Sequence, residues 1–428
     1  MRKILLPLLL ISATAVGQSK LHPSIDQKAQ AVEAKVIEWR RDFHQHPELG
    51  NQEVRTAKIV ADHLRSLGME VTENVAVTGV VGVLRGGKPG PMVALRADMD
   101  ALPVTERVDV PFKSTVTATY NGQQTGVMHA CGHDSHTAIL MGVAEVLAAH
   151  KNQLEGSVKF IFQPAEEGVT EVPMAGAELM VKEGVMKDVD AIFGLHIWAQ
   201  IEAGKIGYRP GPTMAAVDIL TINVQGTQAH GASPWSGVDP IVTSAQLITG
   251  LQTILSRSVN VTQNPAVVTV GAIHGGIRHN IIPEKVELIG TIRTFGEAQQ
   301  ALVHRRINEI ATNIAESAGA KAEVNILKLY PSTINDEALT ATMLPSLAAA
   351  AGKENLILMD PMTGSEDFSF FQKEKPGVFV FLGGMKPGAD PLKTPSHHTP
   401  DFYLDESGFT LGVRALSYLV VDYMNLKK

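Results

Sequence analysis

Among 428 residues there is a single cysteine, Cys131, and a thiol with no second cysteine in its chain cannot be half of an intramolecular disulfide. Long charge runs, low-complexity tracts and internal repeats are also missing. With a net charge of -7 and no basic stripe, the chain has nothing to neutralise phosphates, which argues against nucleic acid as a partner. No apolar run reaches the roughly 20 residues a spanning helix needs. The longest candidate, Ile4 to Ile11, is about half that length before Ser12 and Thr14 dilute it.

That short run is informative for another reason. Arg2 and Lys3 precede it, and Ala15-Val16-Gly17 offers small residues before Gln18, the pattern of a cleaved secretory signal over residues 1–17. An exported protein, periplasmic or extracellular and without a stable membrane anchor, is the expectation. Cys131 lies far from the end of that segment, so no cysteine is placed for lipid attachment. Hydrophobic content of 44% against 19% charged residues describes a globular chain whose length calls for two domains.

Strand and helix patterns alternate, as in a sheet with helices on both faces. Helices are expected over Ala29 to Asp42, Thr56 to Leu67 and Ser135 to His150, and strands over Val80 to Leu84, Met92 to Ala97, Val158 to Gln163, Ala191 to Leu195 and Val378 to Leu382. Between 215 and 329 the order becomes β-α-β-β-α-β: strand Val217 to Val224, helix Pro240 to Ser256, strands Ala266 to Ile273 and Lys285 to Arg293, helix Ala298 to Ala318, strand Ala322 to Leu329. This is the ferredoxin-like series, read as an insertion entered through the hinge-like Arg209-Pro210-Gly211-Pro212. The expected domains are thus 18–214 with 330–428, and 215–329.

The polar residues fall at strand ends. Asp98 follows one strand, Glu166 and Glu167 another, His196 a third, and His398 lies beyond the last. In open α/β sheets the ligand crevice lies at the carboxyl ends of the strands, so these groups can meet. Cys131 sits in Met128-His129-Ala130-Cys131-Gly132-His133-Asp134, where it is either an inert core thiol or a metal ligand. Consecutive Glu166 and Glu167 are either a solvated acidic turn or a pair with divided roles.

Met128-His129-Ala130-Cys131-Gly132-His133-Asp134, Gln163-Pro164-Ala165-Glu166-Glu167-Gly168, Gly194-Leu195-His196, Gly364-Ser365-Glu366-Asp367-Phe368 and His398-Thr399-Pro400 together resemble the amidohydrolase branch of the M20 metallopeptidases. That branch holds hippurate hydrolases, N-acyl amino acid amidohydrolases and auxin-conjugate hydrolases. The resemblance begins at Phe43-His44-Gln45-His46-Pro47-Glu48-Leu49 and spans nearly all of the chain after residue 17. It implies an α/β fold with a phosphorylase/hydrolase-like catalytic domain, a mixed sheet with helices on both faces, and an inserted ferredoxin-like dimerisation or lid domain.

Matching positions imply two divalent metal ions per subunit, held by Cys131, His133, Glu167, His196 and His398, with Glu166 as the catalytic base. Zinc or manganese is expected, with cobalt and nickel as alternatives. In the wider superfamily a histidine two residues before the aspartate of such a strand binds metal; here that place is Arg96, so the cysteine motif must supply ligands instead. Asp98 is expected to orient a ligating imidazole, and His129 and His136 to pack or support. Of the neighbours His397 and His398, the step before a small residue and proline selects His398, leaving His397 as a loop side chain. From the inserted domain, His230, Asn280 and Arg293 match substrate-contacting positions, His230 by reaching a partner's site in a homodimer.

The resulting expectation is hydrolysis of the amide bond of an N-acyl amino acid: water activated by the metals attacks the carbonyl, Glu166 takes its proton and returns it to the departing amine. Rival readings are a secreted dipeptidase, a noncatalytic metal- or ligand-binding homologue, and a cysteine hydrolase using Cys131.

Overall fold

The computed structural model describes residues 19–168 and 176–426. The secretory segment read from residues 1–17 lies outside them. Among the described residues no helix is long and apolar enough to cross a membrane.

The larger sheet has eight strands in the order 70–75, 79–85, 155–163, 88–98, 191–202, 377–385, 206–208 and 356–358. Its four central members, Glu155–Gln163, Lys88–Asp98, Ala191–Glu202 and Gly377–Met385, are mutually parallel, while the 70–75 and 79–85 strands join antiparallel at one side. Both faces of a parallel sheet are covered, so its strands read as unbroken apolar runs. Every residue of Gly377–Met385 is buried, for example. Helices His22–Gln45, Val54–Ser66, His133–Ala149, Glu337–Ala351 and Phe409–Leu426 share one core with the sheet, and the shorter Gly176–Lys182 and Phe368–Glu374 cover the other face.

Departures from the sequence reading have local causes. The first helix begins at His22 because Pro23 is tolerated in a first turn and Ile25 extends the buried stripe. The strand containing His196 continues to Glu202, since Gly377–Met385 pairs with it past that residue. Strand Glu70–Val75 and the hairpin Thr117–Tyr120 with Gln123–Gly126 carry no strand signal in the sequence, being mostly exposed, polar and without an apolar alternation.

A second sheet is drawn from residues 216–330: Val267–Gly275, Lys285–Thr294, Ala216–Gln225 and Lys321–Tyr330 in that order, all antiparallel. Helices Pro240–Thr253 and Glu297–Ser317 pack on one face around Leu220, Ile222, Leu247, Val303 and Ile307. This is the ferredoxin-like arrangement. Chain entry and exit run side by side, Gly211–Met214 pairing with Thr333–Asn335. The hinge-like dipeptides are braced here by Arg209, which donates to the carbonyls of Pro212 and Met359 at 2.8 and 2.9 Å.

Candidate active site

The carboxyl ends of the parallel strands carry the polar residues to one crevice. Cys131 stands in the turn before helix His133–Ala149, and Gly132 between it and the helix has φ 95°. A Cβ at 132 would stand 2.4 Å from Ile197 Cγ2, so only glycine lets the cysteine and His133 turn inward together. On the next strand's exit, Ala165 adopts φ 51°, unusual for a residue with a side chain, immediately before Glu166 and Glu167. Buried Glu53 holds that turn: one carboxylate oxygen accepts the Ala165 N–H at 2.9 Å and the other accepts from the Thr78 hydroxyl.

Hydrogen bonds decide which imidazole nitrogens face the crevice. His133 Nδ1 is 3.1 Å from Asp100 Oδ1, and its buried Nε2 has no protein partner. His196 Nδ1 donates to the Ile197 carbonyl at 2.6 Å, leaving its Nε2 lone pair 3.4 Å from Cys131 Sγ. His398, at φ 62°, brings Nε2 to 3.0 Å from Glu167 Oε1. Ligand atoms of Cys131, His133 and His196 lie within 4.8 Å of one another, as do those of Cys131, Glu167 and His398. The cysteine is common to both groups.

These donors fit divalent cations. Metal bonds of about 2.0–2.3 Å place two ligand atoms of one tetrahedral ion roughly 3.3–3.6 Å apart, and the Cys131–His196 spacing of 3.4 Å agrees. Burial, then Glu167 and Glu166, pushes the Cys131 thiol well above its usual range. It would ionise beside a cation, and its carboxylate surroundings are the reverse of what activates a nucleophilic thiol. Burial would lower His133, but Asp98 and Asp100 outweigh it and hold the ring up to about 10. Burial, followed by Glu366, Glu167 and Asp367, raises Glu166 well above the carboxylate range, with Arg96 opposing.

Asp98 does not bond to a predicted ligand. Its Oδ1 is 2.6 Å from His136 Nδ1, and His136 Nε2 accepts the Ile197 N–H at 2.8 Å. Asp98 Oδ2 is 3.8 Å from His133 Nε2, too far for a hydrogen bond, and Asp100 orients His133 instead while also accepting the Glu167 N–H at 3.0 Å. The sequence assigns Asp100 no role, although it stands two residues after Asp98, just past the end of the strand Lys88–Asp98. Arg96 is fully buried and serves as an internal cation, with Asp98 at 2.7 Å, Asp367 at 2.9 Å and Glu366 at 3.0 Å. Motif Gly364–Phe368 thus has a function that its spacing does not reveal: its two acids, Glu366 and Asp367, face the buried Arg96 guanidinium. His397 is likewise no free loop side chain, since its ring lies 4.8 Å from Trp198 and 4.9 Å from Phe402.

A crevice of about 400 Å³ opens over these groups, lined by Cys131, Glu166, Glu167, His196 and His398. Trp198, Met214, Val217, Leu329 and Tyr330 give it an apolar wall, and Arg293 reaches it from the smaller sheet. Arg293 Nη1 is buried without a partner, and burial lowers its pKa. Tyr330 ties the two sheets together, its hydroxyl donating to the Glu166 carbonyl at 2.7 Å. His230 and Asn280 are not among the lining residues: His230 is exposed in a two-residue pairing with Ile281, and Asn280 Oδ1 is buried without a partner.

Comparison with known proteins bears on this geometry. The model of peptidase family M20/M25/M40 matches residues 94–422. Thermostable carboxypeptidase 1 of Saccharolobus solfataricus is 39% identical over 396 residues, 92% of this chain and 96% of its own. N-acetylcysteine deacetylase of Bacillus subtilis is 37% identical, covering 92% of this chain and 97% of its own. The crystal structure of the YXEP protein of Bacillus subtilis, a dinuclear metal binding peptidase from the M20 family, superposes with a TM-score of 0.77 at 35% identity, over 92% of this chain and 99% of that one.

Proposed function

This chain belongs to peptidase family M20/M25/M40 and is a hydrolase of its metal-dependent kind, and from that premise we propose that it cleaves the amide bond of N-acyl amino acids. The observation carrying the reading is the convergence of Cys131, His133, Glu167, His196 and His398 beside a buried Glu166 in a crevice with an apolar wall and one arginine. Two divalent ions held by those five side chains, zinc or manganese in this reading, would supply Lewis acidity and a water acidic enough to attack near neutral pH. Glu166 accepts the proton of the attacking water and passes it to the departing amine. Arg293 presents its unpartnered Nη1 to the carboxylate of the released amino acid. Trp198, Met214 and Leu329 receive the acyl group and exclude water from it.

His230 and Asn280 act in this reading only when a second copy, docked through the 215–329 domain, brings them to the partner's crevice. Export directed by residues 1–17 belongs to the same proposal. A peptidase activity, that of a carboxypeptidase or a dipeptidase, is the second reading, and the relative named a carboxypeptidase favours the first of these.

The test is release of amino acid from a panel of N-acyl amino acids and dipeptides, with and without chelator, beside Glu166→Gln. Chelator-sensitive release from blocked substrates that vanishes in the variant is the expected result. Preference for a free α-amino group would move the assignment to the dipeptidase, and no turnover with any divalent metal would sink both.

A further inference from the structure

Two adjacent histidines, His397 and His398, reach the crevice, and their environments differ. His398 Nε2 stands 3.0 Å from Glu167 Oε1 on the open side. His397 points the other way, a divergence made by the left-handed backbone of His398. Its Nε2 accepts the backbone N–H of Ala199 at 3.1 Å. A ring nitrogen that accepts from an amide carries no proton, so in the neutral ring the hydrogen is on Nδ1. Nδ1 faces Cys131, 3.8 Å from Sγ, and the Cys131 backbone accepts from the ring as well. Trp198 at 4.8 Å, Phe402 at 4.9 Å and His196 at 5.3 Å pack around the ring and support this orientation.

We propose that His397 is a positioning residue that donates Nδ1–H to the Cys131 thiolate, holding the one sulfur common to both ligand groups in place and withdrawing charge from it. The proposal rests on the metal-binding reading of Cys131. Donors aimed at a ligand's sulfur or second nitrogen tune the metal through that ligand, and losing one typically costs 10- to 100-fold in metal affinity or activity. One histidine of the pair therefore offers a lone pair and the other offers a proton, which explains how two neighbours of the same type take different tasks.

The experiment uses the full-length protein reconstituted with cobalt(II), comparing wild type, His397→Phe and His397→Asn. Phenylalanine keeps the packing against Trp198 and Phe402 but donates nothing, whereas the asparagine amide can return an N–H close to the Nδ1 position. The readouts are the thiolate-to-cobalt charge-transfer band, metal affinity by competition with a chromophoric chelator, and a thermal melt to establish folding. The expected result is a band moved to lower energy in His397→Phe with affinity down roughly 10- to 100-fold, and a band returned towards the wild-type position in His397→Asn. A band unmoved in His397→Phe overturns the proposal, and so does loss of a nitrogen from the cobalt ligand field, which would make His397 a ligand. Absence of any thiolate band in the wild type overturns the parent reading of Cys131 instead, so the two failures are distinguishable.

Discussion

The floor of the crevice and the smaller sheet above it are built on opposite plans. On the floor, the side chains that face the crevice are held by others, with His129 the exception: Asp100 holds both His133 and the Glu167 amide, Asp98 holds His136, and His136 in turn holds the backbone beside His196. Above it, Arg293 keeps a buried nitrogen without a partner, Asn280 keeps a buried oxygen without one, and His230 faces solvent. In the proposed function the preorganised floor does the chemistry and the unsatisfied roof recognises what enters.

The strongest break of that division is Glu166→Gln. It should lower turnover by about 10²- to 10⁴-fold, the range for a lost general base, while metal content stays at the wild-type value. Loss of metal alongside activity would make Glu166 a ligand and refute the separation from Glu167. Next comes Arg96→Leu, which strands Asp98, Glu366 and Asp367 without their cation. Breaking a buried ion pair from one side costs about 3–5 kcal/mol. Chemical denaturation should register a loss of that order, and an unchanged midpoint would mean that the three acids are neutral in the fold.

Much of the floor was legible because its ligands come in short local motifs, where Cys131 and His133 or Glu166 and Glu167 need only one turn to present them. Asp100 and Glu53 were not, since what they hold lies 25 to 112 residues away and only folding brings the partners together. In its motif Arg96 is only an absent ligand, and its function as a charge becomes visible with the two acids of Gly364–Phe368 beside it. In the smaller sheet the element series follows the periodicity, yet Arg293 alone of the three expected contact residues lines the crevice: it sits near the end of the long strand Lys285–Thr294, whereas His230 and Asn280 lie in and beside the short pairing of Ala229–His230 with Ile281–Ile282.

His129 sharpens the contrast by pH. Both of its ring nitrogens are buried without partners, and burial lowers its pKa to about 4. The unfolded chain, titrating near 6.5, binds more protons than the fold between that pH and about 4, so stability falls as pH falls through the window. His129→Phe should flatten the slope there by up to about 3 kcal/mol, read from unfolding midpoints at stepped pH. An unaltered slope would mean that the ring stays paired through solvent. For the roof, Arg293→Ala should raise KM roughly 10- to 100-fold with kcat nearly kept, since a charged hydrogen bond is worth about 1.5–3 kcal/mol. A fall in kcat alone would move Arg293 from recognition into the chemical step.

The smallest effect is the most discriminating. Ala165 holds a left-handed backbone at φ 51°, fixed by the Glu53 carboxylate on its N–H and by the N–H groups of Gly168 and Gly176 on its carbonyl. Such a conformation costs a residue with a side chain on the order of 1 kcal/mol, and glycine adopts it freely. Glycine also enlarges the unfolded ensemble, which offsets part of the gain. Ala165→Gly should therefore change the melting temperature little, on the order of 2 °C either way, yet lower kcat if the strain serves to aim Glu166. A wild-type kcat with unchanged metal affinity would show that Glu53 and Asp100 alone aim the turn, and the backbone strain at Ala165 would then be a by-product of reversing the chain rather than part of the floor's preorganisation.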